Sequence, residues 1–280
     1  MHLSGSPYGR WSSYLACTAL GALLFAASPA AGASAAGVRV PEELPPPQHK
    51  SGSEPSPRPI RISIYSAHRL RDYYLFVPGS LAPDMPGPVL LLLHGSYSTP
   101  LEVLPQWTEV AERAGIILVA PKSFADYGWR IRDDTPALLR AIVDDLAARR
   151  PIDRRRIYVF GHSAGGVHAL MLGLLESQYF AAVAVHAAAF TQREYFNAIP
   201  LARRKIPLWI TIGDQDRFFS MKEVTATEAA LREAGFPVTL TVIKGHDHSY
   251  TTEAGAVNRA AWEFLAPFEL AQPPVFTSYE

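Results

Sequence analysis

Residues 157–166 read IYVFGHSAGG. Four apolar or aromatic residues run into Gly161, and His162 and Ser163 then sit between glycines. IYVF has the composition of a buried strand. The following GGVHALMLGLL (165–175) is almost entirely apolar and reads as a buried helix. A serine on so short a strand-to-helix link must sit on a sharp turn, and Gly161 and Gly165 let neighbouring backbones pass close to it. Such a turn lifts the serine Oγ above the sheet. It also leaves the Ala164 N–H at a helix N-terminus, where an oxyanion would form. Ser163 is therefore a candidate nucleophile. The alternative is a glycine-rich packing turn.

The surrounding pattern sets the fold class. PVLLLLHG (88–95) is apolar at every position from Val89 to Leu93, as in a strand covered on both faces. IILVAP (116–121), FAAVAVHA (180–187), PLWITIG (207–213) and VTLTVIKG (238–245) repeat that character. Between them, residues 106–115, 135–149, 220–235 and 256–266 carry helical periodicity. RISIY (61–65) and YYLFV (73–77) lead the chain as an antiparallel hairpin. This is an α/β chain, with a mostly parallel central sheet flanked by helices. The leading hairpin and modest length count against a closed eight-fold barrel.

A serine nucleophile needs a base, and the base needs an orienting acid. PLWITIG is followed by Asp214 and Asp216, and VTLTVIKG by His246, Asp247 and His248. Both loops leave the carboxyl ends of strands, where catalytic groups converge. Position alone leaves each choice open, with Asp216 and His248 favoured by their greater reach. A second oxyanion donor is available in the Ser96 N–H, after LLLLHG. The alternative there is a plain turn with a capping serine.

Composition narrows the setting. Formal net charge is zero over 280 residues, so nothing advertises nucleic acid as a partner. Residues 1–35 hold an apolar, uncharged run (14–27) followed by small residues in A-x-A spacing, and read as an export signal. The rival is a retained membrane anchor, but the run is shorter than the roughly 20 residues that span a bilayer, so a secreted or periplasmic protein is expected, with no stable membrane insertion once the signal is removed. Residues 36–58 are proline-rich and polar, and are expected to be disordered. The folded domain is expected over 59–267, with a loose tail over 268–280. Cys17 is the only cysteine and lies inside the signal. A thiol nucleophile and a cysteine-ligated metal are both excluded. His246, Asp247 and His248 name no further ligand elsewhere in the chain, so neither metal nor cofactor is expected.

GHSAGG, LLLLHGS, GDQD and GHDHSY together resemble the α/β-hydrolase fold. More narrowly, RDYYLFVPGSL, PVLLLLHGS, WTEVAERAGIILVAPKS, GWR and PIDRRRIYVFGHSAGG resemble secreted esterases grouped with polyhydroxybutyrate depolymerases and feruloyl esterases. The resemblance spans about residues 60–266. It implies Ser163 as nucleophile, Ala164 as an oxyanion donor, Asp216 as acid and His248 as base. It also implies hydrolysis of carboxylic esters through an acyl-enzyme, without a cofactor. The substrate would be a small-molecule or oligomeric ester. A peptidase of the same fold and a polyester depolymerase are the alternatives. The chain departs from the group in having no cysteine left for disulfides after signal removal, and no attached polymer-binding module is expected. The stretch 187–205 is too short for a large lid, which argues against long acyl chains.

Other residues carry weaker expectations. Tyr97, Trp129, Phe190 and Phe218 are the candidates for substrate contact, with ordinary packing as the alternative. His94 reads as an orienting residue, and His168 and His186 as structural. Strand alternation points His162 away from the site. Asp133 and Asp134 precede a helix and read as its caps.

Overall fold

The computed structural model describes residues 58–277, so the expected signal and nearly all of the leader lie outside the described residues. Eight strands form one sheet: β1 (Ile60–Ser66), β2 (Arg69–Phe76), β3 (Gly87–Leu93), β4 (Ile117–Pro121), β5 (Ile152–His162), β6 (Ala182–His186), β7 (Leu208–Gly213) and β8 (Val238–Ile243). Their spatial order is β1-β2-β4-β3-β5-β6-β7-β8. β2 pairs antiparallel with both β1 and β4, and every other pairing is parallel.

The helices are α1 (Pro100–Val103), α2 (Thr108–Ala114), α3 (Pro136–Arg149), α4 (Ala164–Leu175), α5 (Arg193–Phe196), α6 (Met221–Glu233) and α7 (Tyr250–Leu265). The pleat of the central strands divides the apolar residues between two layers. Leu91, Leu93 and Val159 share one apolar layer with Leu139 and Ile142 of α3, Leu170 of α4 and Val224 of α6. Leu90, Leu92 and Phe160 face the other way, toward Trp107, Val110, Tyr250 and Val257. Burial on both faces explains why the middle strands carry continuous apolar runs instead of alternation.

The topology positions the site. After β3 the chain crosses to β4 on one side, and after β5 it crosses to β6 on the other. The loops leaving the carboxyl ends of β3 and β5 therefore diverge and leave a crevice between them. Those loops carry Ser96 and Ser163.

Two expectations change. The last helix begins at Tyr250, six residues before the expected start at Ala256. Its first turn, YTTEAG, looks polar and glycine-broken in sequence. Tyr250 and Ala254 are nevertheless buried against the sheet, and that tertiary packing extends the helix. The tail is also not loose through Thr277. The Leu270, Val275 and Thr277 N–H groups donate to Arg155 O, Gln178 O and Glu176 Oε2.

Candidate active site

Ser163 sits between β5 and α4 with φ 56° and ψ −123°. A non-glycine residue in such a conformation costs on the order of 1–3 kcal/mol and needs surrounding structure to hold it. Its N–H donates to His186 O at 3.0 Å, and its carbonyl accepts from Val167 N–H at 3.0 Å. A Cβ on Gly161 would overlap the Gly165 carbonyl, and one on Gly165 would overlap the Leu93 carbonyl. Glycine at both positions is therefore a steric requirement of the turn.

The two strand-end loops meet above it. His248 Nε2 lies 2.9 Å from Ser163 Oγ, and His248 Nδ1 lies 2.8 Å from Asp216 Oδ2. The other oxygen of Asp216 accepts the N–H groups of Phe218 (2.8 Å) and Phe219 (3.0 Å), which fixes the carboxylate from behind. A carboxylate facing Nδ1 places the proton there and leaves Nε2 as an acceptor toward the serine hydroxyl. Asp214 is held elsewhere, accepting the Gly245 N–H at 2.7 Å. His246 is buried, with Nε2 3.1 Å from His186 Nε2.

Ala164 is the first residue of α4, so its N–H has no intrahelical acceptor. In the loop after β3, the Tyr97 N–H is taken by Asp126 O and the Ser98 N–H by Gly95 O. The Ser96 N–H takes part in neither bond. Gly128 closes over this spot: a Cβ there would lie 3.2 Å from Ser96 Oγ and 3.4 Å from Ala164 Cβ. Ser96, Ala164 and Gly128 thus share one small space beside Ser163.

The loop bearing Gly128 is braced from inside. Asp134 is buried, pairs with Arg71 at 2.5 Å and accepts the N–H groups of Phe124 and Arg130. It does not cap the helix as expected; Thr135 does, accepting from Leu138 N–H. A buried carboxylate needs a paired cation and several donors, and the loop supplies them. His94 is oriented as expected. Its Nε2 accepts Ser123 N–H and its Nδ1 donates to Gly95 O, and burial lowers its pKa. His168 bonds Asp134 O, and burial holds its pKa down at about 4.

The aromatic candidates divide. Phe218 is 74% exposed, with its ring 4.5 Å from that of His248, and Tyr97 is 81% exposed. Trp129 and Phe190 do not line the site. Trp129 is 5% exposed, donates from Nε1 to His94 O and stacks on His168. Phe190 is 1% exposed and packs against Tyr195 and Phe196. Both stabilise loops because their apolar area is worth more in the core than at the rim. Beside His248 lies an open cleft of about 320 Å³ lined by Gln215, Arg217, Phe218, Asp247 and His248. Gln215 and Arg217 carried no signal in the sequence beyond their place next to Asp216.

A family model described as "Putative esterase" matches residues 68–270. The chain belongs to the Esterase family. Its bifunctional acetylxylan esterase/xylanase relative XynS20E from Neocallimastix patriciarum is 28% identical over 162 residues, 55% of this chain and 22% of that protein. A protein named "Putative esterase NocK" from Nocardia uniformis subsp. tsuyamanensis is 31% identical over 134 residues, 43% of this chain and 39% of that one. The chain thus spans well under half of the length of either relative. Among solved structures, a ferulic acid esterase matches with a TM-score of 0.61 and 19% identity, over 75% of this chain and 98% of that one. That likeness is one of α/β-hydrolase fold. Among the described residues, no helix is long and apolar enough to cross a membrane.

Proposed function

We propose that this family member hydrolyses carboxylic esters with short acyl, hydroxyacyl or aryl groups, using Ser163 as nucleophile. The observation that carries the reading is the unbroken line Asp216 Oδ2–His248 Nδ1 and His248 Nε2–Ser163 Oγ, at 2.8 and 2.9 Å. His248 takes the hydroxyl proton as Ser163 Oγ attacks the ester carbonyl. Asp216 keeps the imidazole in the required tautomer and stabilises the imidazolium. The Ala164 and Ser96 N–H groups receive the developing oxyanion. The imidazolium protonates the alkoxide, and the alcohol leaves toward the cleft beside Phe218. His248 then deprotonates a water that cleaves the acyl-enzyme, and returns that proton to Ser163.

Substrate size follows from the stretch between β6 and β7. It holds only α5 and a short turn, with Phe190 and Ile199 buried in the core, so it builds no lid over Ser163. One experiment tests both parts: nitrophenyl esters of rising acyl length, assayed with wild type and Ser163→Ala. Wild-type turnover should fall as chains lengthen past about eight carbons, a limit set by the unlidded rim, and Ser163→Ala should lose nearly all turnover with an unchanged melt. Substantial turnover by a folded Ser163→Ala would reject the nucleophile, and a long-chain optimum would reject the size assignment. Residues 1–35 are proposed to direct export, supported by their apolar run and A-x-A spacing. N-terminal sequencing should find the mature chain starting near Ala36, and a retained Met1 would refute this.

A further inference from the structure

Three histidines outside the triad form a continuous string beneath it. His162 Nδ1 lies 3.0 Å from His186 Nδ1, and His186 Nε2 lies 3.1 Å from His246 Nε2. They come from three different elements: the end of β5, the end of β6 and the loop after β8. His186 is fully buried and uses both ring nitrogens within the string. Tyr250 stacks on His162 at 5.3 Å and lies against His186 at 5.7 Å.

The ends of the string are what give it a role. His162 directly precedes Ser163, and His246 stands two residues before His248. The middle member touches the elbow a second time, since the His186 carbonyl accepts the Ser163 N–H at 3.0 Å. The His162 ring also packs, tilted, against the His248 ring, with centroids 5.1 Å apart. We propose that the His162–His186–His246 string is a positioning device that sets the separation of Ser163 Oγ and His248 Nε2. The proposal rests on the reading of Ser163 and His248 as nucleophile and base.

The string depends on complementary ring nitrogens. Each N···N contact needs one N–H and one bare nitrogen, so His186 donates through one nitrogen and accepts through the other. Two adjacent rings that were both protonated would set N–H against N–H and break their contact. Burial, with a further push from the neighbouring histidines, holds the His162 pKa down at about 3 and that of His186 at about 2. The string is not a proton path to the serine, because both nitrogens of His248 are engaged by Asp216 and Ser163. It is not a chelate either, since the two nitrogens of His186 face different rings.

The test uses the fact that an Asn amide sits near the position of a histidine Nδ1, and a Gln amide near that of Nε2. His162 acts through Nδ1 and His246 through Nε2. In the full-length protein, His162→Leu and His246→Leu should lower kcat about 10- to 100-fold with KM nearly unchanged, the cost of misplacing reacting groups by about an ångström. His162→Asn should recover more kcat than His162→Gln, and His246→Gln more than His246→Asn. The rate at which a fluorophosphonate labels Ser163 should follow the same order. If the leucine variants do not fold, the amide pairs carry the test alone. Equal kcat and labelling across folded variants, or recovery that tracks side-chain size, would overturn the proposal while leaving the serine reading intact. Failure of the wild type to label at Ser163 would overturn the serine reading and this proposal together.

Discussion

The loops GDQD (213–216) and GHDH (245–248) are built alike and used differently within themselves. Each leaves a strand, passes a glycine and carries two chemistry-bearing side chains two residues apart. In both, the inner residue is spent on holding loops together. Asp214 accepts the Gly245 N–H of the neighbouring loop, and His246 joins the buried histidines. In both, the outer residue has cleared the sheet edge: Asp216 meets His248, and His248 meets Ser163. The two loops are also tied to each other, since the Gln215 N–H donates to His246 O at 2.9 Å and a Cβ on Gly213 would overlap that carbonyl. Two residues of loop separate a brace from a side chain that reaches the Ser163 site.

Substitutions along the two loops should separate those roles. The largest effect belongs to His248→Ala, which removes the proposed base and should cost about five to six orders of magnitude in kcat, as in a triad acting as a unit. Steady-state rates beside a thermal melt check this, and a smaller loss than for His246→Ala would reverse the assignment. Asp216→Asn should cost about 10² to 10⁴ in kcat, because the imidazole loses the partner that sets its tautomer. Its pair, Asp214→Ala, should leave kcat within about threefold and lower stability by about 1 kcal/mol, the worth of one hydrogen bond. A denaturant titration measures that loss. A kcat loss for Asp214→Ala that exceeds the loss for Asp216→Asn would break the comparison between inner and outer residues.

Much of the fold was legible because its signals are local. Val89–Leu93 reads as a doubly covered strand, and Gly161 and Gly165 bracket a serine in a way that a crowded turn demands. Ser220 and Glu223 stand in capping-box spacing, and the box forms around α6. Asp134 was misread for the same reason. A carboxylate before a helix looks like a cap, and its true partner Arg71 lies on β2, far away in the chain.

The sequence by itself determined the elbow, the order of strands and helices, and a short list holding each member of the serine–histidine–acid line. Those follow from spacing, turn sterics and hydrophobic period, which act over a few residues. Only the tertiary structure decided that Trp129 and Phe190 are buried while Phe218 and Tyr97 face solvent, because an aromatic side chain reads the same in a core and at a rim. It alone joined His162, His186 and His246. Strand period tells which face a side chain takes, but contacts between strand ends depend on sheet register and loop path, and neither is written within any one of the three segments.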